Sequence, residues 1–98
     1  MVLLGLDYKR CLLDTDIKGG ELEPEADCGV TFNREETVAK CHQRCLSHSQ
    51  CLSYAYITEK FSYAPCRNMC FLKAVPIEGN MTPKDGVVSG PRLCIEEF

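Results

Sequence analysis

Eight cysteines in 98 residues constrain this chain more than any other feature. Cysteine at that density marks a disulfide scaffold, and the even count offers every thiol a partner. A chain of this length makes one domain and buries a modest share of its surface. It has no Trp, four Phe and four Tyr, and its 45% hydrophobic fraction includes the cysteines themselves. Cross-links must therefore supply stability that a larger core would otherwise provide. Disulfides persist in oxidising surroundings: outside the cell, in the secretory pathway, or in a periplasm. Reduced thiols in a cytosolic protein are the competing reading, and the density argues against it.

The net charge is −3, from eleven Lys and Arg against fourteen Asp and Glu. The basic residues are scattered, so no nucleic acid is expected as a partner. No apolar stretch approaches the ~18 residues that span a bilayer, so the chain is not expected to be membrane-spanning. The apolar opening Met1–Leu4 is too short for a signal-peptide core. We therefore expect a module taken from a longer secreted protein, with Met1 an added start residue.

Residues 1–10 read as a lead-in or linker and 95–98 as a tail. Cys11–Asp16 continues the lead-in as an extended stretch, and Lys18-Gly19-Gly20 signals a turn. Four acids and a proline make 21–27 a solvated loop. A helix is expected over 34–46, with Asn33 as N-cap, Glu36 completing a capping box, and Val38, Cys41 and Cys45 on one buried face. Residues 51–57 form a strand with Leu52, Tyr54 and Tyr56 on one side and Ser53, Ala55 and Ile57 on the other. Loop 59–65 leads to a second strand, 68–74, which pairs back on the first. Residues 76–86 are irregular, and 87–89 make a last strand. The fold class is α+β: one helix packed across an antiparallel sheet of about four to six strands, disulfide-rich.

The cysteine pattern is Cys41-x3-Cys45-x5-Cys51, then Cys66-x3-Cys70, with Cys11 and Cys94 near the ends and Cys28 between. Eight cysteines allow 105 pairings, so spacing alone does not choose. Zinc held by Cys41, Cys45, Cys66 and Cys70, with His42 or His48 nearby, would leave four cysteines unexplained, and structural zinc usually takes tighter knuckles. No catalytic site is expected. His42 and His48 read as surface residues without a nucleophile partner. The acids of 21–27 lack a calcium-loop pattern, and Lys18–Glu21 is no phosphate loop. No cofactor and no metal are expected.

The ordered set of motifs resembles the apple/PAN domain family, among whose members are modules of microneme adhesins and plasma prekallikrein. The matching features are the helix with Cys41 and Cys45, the short loop to Cys51, and the strand aromatics Tyr54 and Tyr56. Cys70-Phe71-Leu72-Lys73 and the Ser89-Gly90 segment before Cys94 complete the set. The resemblance covers 11–94, which sets the expected domain. It implies bridges Cys11–Cys94, Cys41–Cys70 and Cys45–Cys51. Cys28 and Cys66 have no counterparts in the three-bridge pattern and are left as a fourth pair, Cys28–Cys66; Cys66 in place of Cys70 as partner of Cys41 stays open. Cys11–Cys94 would close nearly the whole chain, which the chain-entropy model values at about 4–5 kcal/mol. A pair of Cys-x3-Cys motifs is also similar to small mitochondrial intermembrane-space chaperones. Those need both pairs on helices, and Pro65 argues against a second helix.

The resemblance implies a non-enzymatic module that binds a protein or carbohydrate ligand, with tandem sister domains in the parent chain. A structural spacer without a ligand of its own is the alternative. The loop Lys60-Phe61-Ser62-Tyr63 offers two aromatics for stacking or anchoring, with His48, Lys60 and Lys73 as hydrogen-bond donors. Asn80-Met81-Thr82 is an N-glycosylation sequon, and the Pro83 that follows lowers acceptance. Full pairing makes one prediction. The unreduced chain should weigh eight hydrogens less than the reduced chain by mass spectrometry, whereas thiols titratable in the native protein would contradict it.

Overall fold

The strand at the centre of the structure is Ser-Tyr-Ala-Tyr-Ile, a short apolar run with aromatic residues at alternate positions. The computed structural model describes residues 2–4, 12–22, 34–93 and 95–97. In chain order the strands are β1 (Val2–Leu4), β2 (Thr15–Ile17), β3 (Ser53–Ile57), β4 (Cys70–Lys73), β5 (Met81–Pro83), β6 (Val87–Pro91) and β7 (Ile95–Glu97). One helix, α1 (Val38–Ser47), lies between β2 and β3, and a 3-10 turn, Ala64–Cys66, precedes β4. The central sheet is antiparallel in the order β4-β3-β6. Instead of the single sheet of four to six strands expected, three strands form that sheet. Two further antiparallel pairs form, β1 with β7 and β2 with β5. The β5 segment lies within the stretch expected to be irregular. Two prolines and two glycines bound and turn it without preventing three residues of pairing with β2.

Both faces of the central sheet are covered, so every residue of β3 is buried. Register sorts the side chains. Tyr54 opposes Leu72 and Gly90, and Tyr56 opposes Cys70 and Val88, on the first face. Ser53, Ala55 and Ile57 lie on the second, Ser53 opposite Lys73, Ala55 opposite Phe71 and Ile57 opposite Val87. The first face carries the helix: Cys41, Cys45, Cys51, Tyr54, Tyr56, Cys70 and Leu72 form one buried cluster. Cys41 is bonded to Cys70, joining α1 to β4, and Cys45 to Cys51, closing the exit from α1. Cys66 is disulfide-bonded too; Cys11, Cys28 and Cys94 lie outside the described residues, and with them the pairings Cys11–Cys94 and Cys28–Cys66.

The helix begins at Val38, four residues later than the sequence reading. Thr37 is the N-cap, and its hydroxyl accepts from the amide of Lys40. Arg34 and Glu35 are drawn instead into backbone pairing with Met69 and Asn68, which keeps them extended. Asn33 lies outside the described residues. At the far end Arg92 donates to the carbonyls of Leu46, His48 and Cys51 at 2.9, 2.5 and 2.8 Å. A guanidinium there satisfies orphan carbonyls and suits the negative end of the helix dipole. His42 is not a surface residue. It is 5% exposed, stacks on Tyr54 with ring centroids 5.0 Å apart, and donates from Nε2 to the Arg92 carbonyl at 2.7 Å.

The second face is crossed by a strap, residues 13–21. Leu13 exchanges two backbone hydrogen bonds with Ser89 on the outer edge of β6. Ile17, 2% exposed, is buried midway. The strap then reaches the outer edge of β4, where Glu21 bridges Lys73, and Leu22 and Gly20 bond to Leu72 and Ala74. The Gly19-Gly20 turn reads as expected, both residues having positive φ. Gly20 is also required by space, because a Cβ there would lie 2.8 Å from the Val75 side chain.

Gly90 makes the equivalent close approach on the first face. A Cβ at that position would stand 2.6 Å from the Tyr54 hydroxyl oxygen, and Tyr54 is fully buried beneath His42. Gly90→Ala should therefore overpack the core at a cost of about 1–3 kcal/mol. Denaturation of that variant should show a lower midpoint, partly restored by adding Tyr54→Phe; an unchanged midpoint in Gly90→Ala would contradict the packing described.

Candidate functional site

The gap between the strap and the second sheet face forms a hollow of about 360 Å³, within the ~300–1,000 Å³ of ordinary ligand pockets. Its floor is apolar: Ile57 from β3, Phe71 from β4, Val87 from β6 and the disulfide-bonded Cys66. Phe61 forms one wall and the strap residues Asp16–Gly19 and Glu21 the other, with the buried Lys73 and the exposed Lys84 completing the lining. A larger hollow of about 490 Å³ runs beside the helix past Arg44 and His48. Leu72 is its one apolar lining residue, so it has little to exclude water and is the weaker candidate.

Local chemistry holds Phe61 in place. The turn before β6 has Gly86 at φ +81°, where a Cβ would come 2.6 Å from the Phe61 Cα. The Gly86 carbonyl accepts from both the amide and the hydroxyl of Thr58 at 2.8 Å. From the other side Arg67 donates through Nε to the Phe61 carbonyl at 2.8 Å. Phe61 and Phe71 are half-buried and pack against the cluster of Ala55, Ile57, Met69 and Val87.

Of the residues singled out from sequence, the structure brings Phe61 and Lys73 to this hollow. Tyr63, 58% exposed, and Lys60, also exposed, lie outside it. His48 does not line the hollow; it caps α1 and its Nδ1 accepts from the Gln50 amide. Lys73 is not a free surface donor: it is 5% exposed and paired with Glu21 at 3.1 Å. Asn80 donates from Nδ2 to the carbonyls of Pro76 and Glu78, closing the turn before β5. Sequence reasoning passed over Phe71, Lys84 and Lys18. Phe71 was within reach, because it neighbours Lys73 along the Cys70–Lys73 strand; Lys18 and Lys84 carry no local signal.

The charges of the hollow are unequal in setting. Lys73–Glu21 is short and its lysine is enclosed, while Lys84–Asp16 is 4.0 Å long with both partners open to water. The Glu21 carboxyl is held below the usual carboxylate range, by a hydrogen bond from the Glu21 backbone and then by the Lys73 ammonium. A carboxyl whose pKa is depressed by folding contributes stability above its unfolded value of 4.5. That contribution is lost as pH falls through the folded value. The protection factors of Leu22 and Ala74, taken against the intrinsic exchange rate at each pH, should therefore fall as pH drops below about 4.5. Glu21→Gln should lower those protection factors at neutral pH and flatten their dependence on pH; equal protection factors in both forms at all pH would contradict the assignment.

No curated protein matches the chain. The model of a family described as PAN-like domain matches residues 17–75, a span that begins in the strap, contains the helix and both of its disulfides, and ends just past β4. The chain thus belongs to the PAN-like domain family.

Proposed function

We propose that this chain is an extracellular, non-enzymatic recognition module of a larger secreted protein, one of several tandem domains, and that it takes a protein or glycan ligand in the hollow behind the strap. The observation that carries this reading is the hollow itself: an apolar floor that includes the Phe71 ring, a wall made by the Phe61 ring, charged groups in the lining, and a bridged scaffold. Pockets that bind have this composition, a mainly apolar lining with a few placed polar groups. Three further features support it. PAN-like domains as a family bind proteins and carbohydrates and are generally non-catalytic. Both histidines are engaged in hydrogen bonds within the fold. The cysteine density fits an oxidising compartment.

The test is a glycan array run beside a pull-down from extracellular proteins, using the chain and the variant Phe61→Leu/Phe71→Leu. Leucine keeps most of the volume and removes the aromatic faces. The variant should melt within a few degrees of the parent and bind more weakly by ~1–3 kcal/mol, the range for an aromatic anchor. Undiminished binding by the folded variant would move the site elsewhere. A chain silent in both assays would be a spacer or assembly module.

A further inference from the structure

Taking the hollow as the recognition site, we propose that it selects ligands in which an anionic group, such as a carboxylate, borders an aromatic or aliphatic body. In the free protein the strap's Asp16 holds the place of that anion.

The aromatic faces are already attended by cations. The Lys84 ammonium stands 5.6 Å from the Phe61 ring centroid, and the Lys73 ammonium 5.8 Å from that of Phe71. Both are within the reach of a cation–π contact. A neutral sugar that stacked on either face would meet an ammonium first. An anion meets the exposed Lys84 ammonium as a partner, and leaves the apolar part of its carrier for the floor of Ile57, Phe71 and Val87.

Charge points the same way. Lys18, Lys73 and Lys84 line the hollow against Asp16 and Glu21. Among the described residues the lining thus carries one more lysine than acids on a chain of net charge −3, and such a local excess favours an oppositely charged ligand. Lys18 is exposed and belongs to neither of the hollow's two ion pairs.

The two ion pairs differ in role. Lys73–Glu21 is built into the fold, since the same two residues also bridge backbones at the edge of β4. Lys84–Asp16 is long and exposed on both sides, and such pairs contribute little to stability. Asp16 spends its other oxygen on the amide of Ile17 at 2.8 Å, so it can stay in place when Lys84 turns to another anion. Asp16 is thus an internal competitor for Lys84.

The experiment is an amide-resolved NMR titration of the full chain with four probes: 3-phenylpropanoate, its neutral amide 3-phenylpropanamide, a capped Phe-Glu dipeptide, and methyl glucoside. The acid, free or in the dipeptide, should shift the amides of Phe61, Phe71 and Lys84 and bind several-fold more tightly than the neutral amide. That preference should shrink at high salt and vanish in Lys84→Gln. Asp16→Asn should tighten binding of the acid by about two- to fivefold, the scale of an exposed ion pair. Binding of the dipeptide alone identifies a protein segment as the source of the anion; equal binding of the free acid identifies a small organic acid as sufficient. If the neutral amide or methyl glucoside binds this surface as tightly as the acid, or Asp16→Asn weakens the acid, the charge selection is wrong while the recognition site stands. If no probe shifts these amides, selection and site both fall.

Discussion

The covalent tie between Cys41 and Cys70 decides how everything else is arranged. A ten-residue helix is too short to hold itself together in water, and it packs on a sheet of only three strands. Bonding its buried face to β4, with Cα atoms 5.5 Å apart, fixes which face of the sheet the helix covers. Cys45–Cys51 and the Arg92 contacts then hold the helix end that a single pin would leave free to swivel. With the first face occupied, the second is left to the strap, and the imperfect fit of an extended strap on a pleated sheet is the hollow.

Periodicity and turn chemistry carried the reading of individual elements a long way. The alternation in Ser53–Ile57, the pairing of β4 with it, and the Gly19-Gly20 turn are all local signals. The helix start was not, because Asn33…Glu36 reads as a capping box while the N-cap in the fold is Thr37. The choice between them is made by Asn68 and Met69, more than thirty residues away, which take the backbone of Arg34 and Glu35 into pairing. His42 was legible and missed. Val38, Cys41, His42 and Cys45 follow the i, i+3, i+4, i+7 spacing of one helix face, but a titratable ring was set aside as polar. Its Nε2–H finds the Arg92 carbonyl, which removes the main objection to burying it.

The site was less legible than the fold. Phe61 was found through composition, as an aromatic in a polar loop, yet the same reasoning chose Tyr63, two residues on, which lies outside the hollow's walls. Lys73 was chosen as a hydrogen-bond donor to a ligand, on the premise that charged residues are mostly exposed. Its burial depends on Glu21, fifty-two residues earlier, and no local pattern announces such a pair. Lys18 and Lys84 reach the same place because β2 and β5 pair, an association between two short segments far apart in sequence.

The strap also changes what kind of contact the molecule can make. An open three-stranded sheet offers two rows of unpaired backbone groups, a template for strand addition by any extended chain. Here Leu13 occupies the border of β6, and the Gly20–Leu22 segment occupies that of β4. Main-chain docking, which gives affinity with little discrimination, is thereby closed to the central sheet along those stretches. A partner at this face must be read by its side chains, and two copies of the domain that met at high concentration would have no ready means of zipping together through those edges.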